Sequence, residues 1–377
     1  MDLDFSEEQE MLRKTARDFL ANEFPMTLVR EMADDEKGYA PELWGKVADL
    51  GWPGLAFPEE YEGSGGNFLD LMVLLEEMGR GCFSGPFFST VVLGGLTILD
   101  AGTEEQKGEF LPKIAGGELV FTLALTEPSV SYEPSGVRFK ATADKDAYIL
   151  DGEKLFVPDA HVADWLLCVA RTGEATTGED GITVFLVDAK SPGISHTLLK
   201  TMAGDKQCRV VFDSVKVPKT RIIGELDQSW PIVRRALQRA AVAKCAEMLG
   251  GAQRVLEMAV AYAKDRQQFG RPIGSFQAIQ HHAANMAIDV DGMRLTTYEA
   301  AWMLSEGLPC VKEVATAKAW ASDAYKRIAL LGLKIHGGVG YMQDHDMTIY
   351  FRRAEAAEAA FGNADFHREM LTRGLGL

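Results

Sequence analysis

The chain has 377 residues, 47% of them apolar, enough to bury a large core spread over two or three domains. Its 39 basic against 55 acidic residues give a formal net charge of −16, which excludes a general nucleic-acid or anionic-membrane surface, so a phosphate-bearing ligand must be met by local basic groups. The cysteines at 82, 168, 208, 245 and 310 lack CxxC or Cys/His spacing, which argues against a disulfide framework or metal site and suits a reducing compartment.

The acidic start carries no basic apolar leader, and no apolar run approaches the roughly 20 residues of a spanning helix, so the expectation is a cytoplasmic protein with no membrane segment. Ser6 to Gln9 reads as a capping box opening a helix with Met11, Leu12, Ala16, Phe19 and Leu20 on one side. Further helices are expected from Pro41 to Leu50, Phe68 to Arg80, Phe87 to Ala101 and Glu104 to Ile114, making residues 1–118 a helical N-terminal domain.

After Gly117 the period changes. Short stretches rich in β-branched and aromatic residues lie at Phe121–Leu125, Val137–Ala141, Ala147–Leu150, Leu155–Val157, Trp165–Ala170, Ile182–Val187 and Arg209–Val217, with turn chemistry between them. They predict a β-barrel middle domain, or a sandwich, over residues 119–226. From residue 227 to 377 the helical period returns, at Ile232–Lys264, Phe276–Gly307, Pro309–Leu331 and Met347–Phe361, as suits a four-helix bundle. The fold class is therefore α+β and multidomain.

Two stretches of that last domain carry most of the chemistry. In the first, Tyr262 to Gln280, a helical run with basic residues in its last turns is expected to end at Gly270, with Pro272 barring continuation and a new helix starting at Ser275. Such a corner joins a guanidinium, an aromatic ring and an amide, which suits a phosphate-bearing cofactor with a stackable ring and equally suits plain packing. The second is His336-Gly337-Gly338-Val339-Gly340-Tyr341.

Together these segments resemble the C-terminal signature of the acyl-CoA dehydrogenase family, flavoproteins that oxidise acyl-CoA thioesters between the α and β carbons. Phe57-Pro58-Glu59-Glu60-Tyr61 with Gly63-Ser64-Gly65-Gly66, Leu75 to Arg80, Gly102 to Lys107 and Thr126-Glu127-Pro128 resemble family motifs in family order. The resemblance implies FAD held by Arg266, Phe269, Gln277, Gly337, Gly338 and Gly340, with groups reaching across a subunit interface, and hence a homodimer, a homotetramer or a heterotetramer with a sister subunit. It implies an acyl-CoA substrate and an electron-transfer flavoprotein as acceptor.

The middle-domain half of the flavin site departs from the family pattern. Ser131-Tyr132-Glu133 stands where a Gly-Ser-Asp element is usual, and Phe156-Val157-Pro158 where the family has Trp-Ile-Thr. Thr126 remains, and Phe156 is expected to shield the flavin. The family's commonest base is a glutamate 21 residues beyond the last glycine of the turn, and that count lands on Phe361. A second family position matches Ala240. Neither side chain can take a proton.

Glu247, seven residues on from Ala240 and within about 20° of the same helix face, is the expected base, in a run otherwise broken only by Lys244. It resembles a variant of this helix in branches acting on bulky or cyclic acyl groups. Its other reading is an ion pair with Lys244. Glu358 is the alternative base, with Glu355 behind it, both also suited to pairing with Arg352 and Arg353. Arg235 and Arg239 could meet CoA phosphates or form a solvated stripe. The rival to an enzyme is a catalytically silent subunit that lends Arg266 to a sister chain's flavin.

Overall fold

A computed structural model describes residues 5–173 and 178–377. In chain order the helices are α1 (Glu7–Glu23), α2 (Met26–Asp34), α3 (Pro41–Asp49), α4 (Phe68–Arg80), α5 (Leu96–Ala101), α6 (Glu104–Ala115), α7 (Trp230–Asp265), α8 (Gln277–Ser305), α9 (Val311–His336), α10 (Met347–Ala359) and α11 (Ala364–Leu375). The strands are β1 (Phe121–Ala124), β2 (Lys140–Asp144), β3 (Ala147–Pro158), β4 (Trp165–Arg171), β5 (Ile182–Asp188), β6 (Ile194–Leu199), β7 (Gln207–Pro218) and β8 (Ile222–Ile223), with a separate β9 (Gln267–Gln268) and β10 (Arg271–Pro272). These elements form two compact units, one built from Met1–Glu31, Phe68–Phe83 and Ala241–Leu377, the other from Met32–Asn67 and Ser84–Ala240.

The first unit is helical. Ser6 caps α1 as a capping box, accepting from the Gln9 amide at 3.2 Å while Gln9 Oε1 accepts from the Ser6 amide at 3.1 Å. Helix α4 carries two buried carboxylates. Glu77 takes Arg17 from α1 at 2.6 Å, and Glu76 takes Arg294 at 2.8 Å and the Tyr298 hydroxyl at 2.6 Å, both from α8. Buried carboxylates endure only when so met. Gly79 of α4 and Gly250 of α7 let their backbones touch: a Cβ on Gly79 would strike the Glu247 carbonyl, and one on Gly250 the Glu76 carbonyl. The domain's helical character is as expected, but α11 follows α10, so the segment after Phe361 adds a fifth helix to the anticipated four.

The second unit holds α3, α5, α6 and the sheet. Its strand order is β6-β7-β3-β2-β4-β5-β8, with β1 pairing parallel to β4 at the side. That path has two free ends, so the expected closed barrel is an open sheet. Periodicity reports strands, whereas closure depends on the edges meeting, and here β8 is two residues long and β6 is mostly exposed. The segments 147–150 and 155–157 fuse into the single strand β3, which is bulged between Lys154 and Val157. Phe139, Tyr148, Leu150, Phe185, Val210 and Phe212 lie in its core. Under the sheet, Lys154 meets Glu127 at 2.8 Å, and the Glu127 carboxylate accepts the amides of Arg138 and Phe139.

All five cysteines are free and buried. Among the described residues no helix is long and apolar enough to cross a membrane.

Candidate functional site

The corner after α7 is not the helix-turn-helix that its sequence suggests. Helix α7 stops at Asp265, and β9 and β10 pair as a two-stranded hairpin whose tip is Phe269-Gly270, with φ of 55° and 77°. Two consecutive left-handed residues are the type I′ geometry that matches strand twist. A phenylalanine there is unusual, because the left-handed region is costly to a residue with a Cβ. The hairpin lifts Phe269 to 92% exposure, beside Phe276 at 6.0 Å between ring centroids.

Arg266, at the hairpin's start, is exposed and its guanidinium has no hydrogen bond or ion pair among the described residues. Gln277, the first residue of α8, is likewise exposed with an unbonded amide. The glycine turn stands close by. Tyr262, one helical turn before Arg266, stacks on His336 at 4.4 Å between centroids, and His336 immediately precedes Gly337. The His336 Nδ1–H donates to the Gly332 carbonyl at 2.8 Å, and burial, with His345 at its edge, moves the imidazole below its ordinary value, so the ring is neutral and fixed.

Gly337 has φ 63° and ψ −144°, a conformation open to glycine alone, and a Cβ built on Gly337 or Gly338 would meet nothing. Gly340 is different: its Cβ would press on His336 and Leu333, so it serves packing in the turn. An unpaired guanidinium, an open amide and bare backbone at a glycine turn are the donors that a flavin dinucleotide's pyrophosphate needs. The residues of this unit fit FAD.

In the other unit, Thr126 and Phe156 are neighbours, because the Leu155 amide donates to the Thr126 carbonyl at 2.8 Å. The Thr126 hydroxyl has no partner among the described residues although the residue is buried. Phe156 sits in the bulge of β3 with φ 51° and 48% exposure, a strained aromatic pushed outward. Thr126 and Phe156 are thus brought side by side, one with an open hydroxyl and the other with an open ring. The departures are real as well. The Ser131 hydroxyl accepts the Glu133 amide at 3.1 Å and so closes its own turn, and Pro158 has neither hydroxyl nor N–H to offer.

Glu247 lies on α7 with its carboxylate paired to Lys244 one turn back. It is part-exposed, and its charge is felt by two buried groups. Burial chiefly raises the Cys82 thiol and the Tyr325 hydroxyl above their ordinary values, and Glu247 adds to both. Glu358 sits near the end of α10 with Lys326 at 3.7 Å, whereas Arg353 donates to the Phe83 carbonyl at 3.2 Å. Among the described residues the Glu358 carboxylate pairs with Lys326 of α9 and not with Arg352 or Arg353. In the second unit Arg235 and Arg239 share Asp100, so neither is a free phosphate ligand.

The sequence reading missed Lys318 and His367. Lys318 is fully buried, and its ammonium donates to Ser322 Oγ, the Glu358 carbonyl and the Gly362 carbonyl. The signal was present: a lysine on the face of α9 that carries Val314, Ala315, Ala321 and Tyr325, all buried.

Models of the acyl-CoA dehydrogenase N-terminal, middle and C-terminal domains match residues 6–118, 122–215 and 227–376. A probable acyl-CoA dehydrogenase of Bacillus subtilis is 32% identical over 380 residues, covering all of both chains. The caffeyl-CoA reductase-Etf complex subunit CarC of Acetobacterium woodii is 33% identical over 354 residues, 92% of this chain and 93% of its own. Among solved structures, the ChsE4-ChsE5 complex of Mycobacterium tuberculosis matches with a TM-score of 0.92 at 30% identity, over 100% of this chain and 99% of that one. With all three domain models matched and a relative 32% identical over the whole of both chains, the chain belongs to the acyl-CoA dehydrogenase family, FAD-dependent oxidoreductases acting on the CH–CH bond of an acyl-CoA.

Proposed function

We propose that this acyl-CoA dehydrogenase removes the substrate's α-proton with Glu247 and acts on a bulky or cyclic acyl group. The observation that carries the reading is a carboxylate on a helix face that also bears the buried Ala240 and Ala243 and its ion-pair partner Lys244, while residue 361 is a phenylalanine. Bound FAD would supply hydride acceptance. Arg266, Gln277 and the Gly337-Gly338 backbone would hold it, and the family resemblance also assigns Thr126 and Phe156 to it.

A base must approach the α-carbon within hydrogen-bond reach, roughly 2.6–3.2 Å, so the Lys244 partner must yield when substrate arrives. The reverse reaction uses the same groups: a protonated Glu247 returns the proton to a 2-enoyl-CoA. That matters because one relative is named a reductase. The name of that relative also supports an electron-transfer flavoprotein as the electron partner. The buried free thiols suit the cytoplasm.

The exposed hairpin supports an oligomer. An aromatic ring 92% in water is a costly ornament unless a second chain covers it. The departures at Tyr132 and Pro158, where the family carries serine and threonine, with a two-component neighbour among the solved structures, support a heteromer in which flavin occupies some interfaces.

Anaerobic titration with acyl-CoAs tests the reading. The yellow holoprotein should bleach, and Glu247→Gln should retain FAD and lose bleaching by at least about a hundredfold in rate. Unchanged bleaching removes Glu247 from the chemistry, and the same experiment on Glu358→Gln then decides the alternative. A colourless homo-oligomer unable to bleach would establish the silent-subunit reading.

A further inference from the structure

The cluster beneath the end of α10 has no part in the chemistry above. Lys318 of α9 is out of solvent, and among the described residues it makes no ion pair. Its three N–H donors are all used, at 3.0 Å to Ser322 Oγ, 2.9 Å to the Glu358 carbonyl and 2.8 Å to the Gly362 carbonyl. The Glu358 carboxylate turns to Lys326 instead. The two carbonyls bracket the end of α10, where helix groups lack partners and the dipole is negative, so the ammonium acts as a cap built into the interior.

From the other side His367 of α11, also buried, donates its Nε2–H to the Phe361 carbonyl at 2.9 Å, leaving Nδ1 buried and unbonded. Carbonyls 358, 361 and 362 are thus all held by side chains of neighbouring helices. Between them Phe361 has φ 56°, and Gly362, with φ 96°, has no room for a Cβ against Phe366 and His367. A phenylalanine stays in the left-handed region only where its surroundings over-determine it. The groups that bear on the ammonium are Lys244 and Cys245 of α7, Ser322 and Lys326 of α9, Glu358 of α10 and His367 of α11.

We propose that Lys318 and His367 are positioning residues that lock the Phe361 turn, and that the locked phenyl ring decides which acyl groups are accepted. This rests on the reading above, in which residue 361 stands where the family carries its usual base and Glu247 has assumed that task. Burial brings the Lys318 ammonium down to about 8, so raising the pH past that value removes one of its three N–H donors and the positive charge that strengthens its hold on the two carbonyls. Burial likewise brings His367 down to about 4, which keeps it a neutral single donor at working pH.

The test uses the FAD-loaded holoenzyme, with hydrogen exchange over residues 358–367 and kcat/KM for straight-chain against cyclic acyl-CoAs. Lys318→Met and His367→Leu should speed exchange in the turn at least tenfold and change the kcat/KM ratio at least fivefold. His367→Gln, which keeps a donor, should restore both. In the unaltered enzyme the ratio should drift toward the Lys318→Met value above about pH 8, while in Lys318→Met it stays flat. A role in folding alone would lower Tm and leave the ratio within twofold, which overturns the proposal, as does unchanged exchange. If Lys318→Met does not fold, the pH series and the His367 pair decide the question in its place. If the unaltered protein turns over no acyl-CoA, the catalytic reading falls by itself. Exchange, together with calorimetric binding of the same acyl-CoAs to each variant, then still decides the lock.

Discussion

Three phenylalanines, Phe156, Phe269 and Phe361, hold left-handed backbone angles, and each stands at a position proposed above for the site. Each such angle costs roughly 1–3 kcal/mol and must be repaid locally, by the β3 bulge, the hairpin and the Lys318–His367 clasp respectively. No sequence pattern announces this. The candidates themselves were legible because the proposed site needs particular chemistry at particular spacing, and Arg266, Gln277, Gly337 and Gly338 are found with open donors and open backbone, whereas Gly340 is packed. Lys318 was not legible, since a lysine reads as solvated until its neighbours are known. At this scale His367 yields a pH prediction. Its ordinary value of 6.5 falls to about 4 in the folded chain, so its contribution to stability is present above 6.5 and lost as pH falls through 4. Denaturant unfolding of unaltered protein against His367→Gln should show the variant losing up to about 3 kcal/mol less across that window.

Among elements, most helices followed from periodicity and, at Ser6 with Gln9, from a cap, whereas the short α2 and the terminal α11 did not. The hairpin after α7 did not, because its turn lacks the Asn-Gly chemistry that betrays a type I′ loop, and Phe269 occupies the place. The sheet's strands were visible, but its open edges depend on which strands meet across space. Two predictions belong here. Since the hairpin packs on little of its own chain, Phe269→Ala should change unfolding free energy by no more than about 0.5 kcal/mol while lowering the FAD retained through gel filtration several-fold. In contrast, Gly250→Ala sets a methyl against the Glu76 carbonyl where α4 and α7 touch, and should cost about 3 kcal/mol or more, read as a shift in denaturation midpoint.

For the whole molecule, the sequence established family, cofactor and helical or sheet character along the chain. Assembly was beyond it, because an interface is a property of two surfaces and only one is written here. Light scattering with flavin absorbance on the purified chain should give an oligomer, and its FAD-to-chain ratio distinguishes one flavin per subunit from the fewer expected of a mixed assembly. The buried thiols offer a further handle. Cys82 and Cys245 lie in one compact unit and Cys168 and Cys208 in the other, and burial raises all four above their ordinary value, Cys168 and Cys245 to about 12. A thiol so placed reacts with an alkylating reagent only when its surroundings come apart. Mass spectrometry of timed iodoacetamide labelling therefore clocks the breathing of each half separately, and FAD should slow the two clocks unequally if its grip on the second half is as weak as Pro158 and Tyr132 suggest.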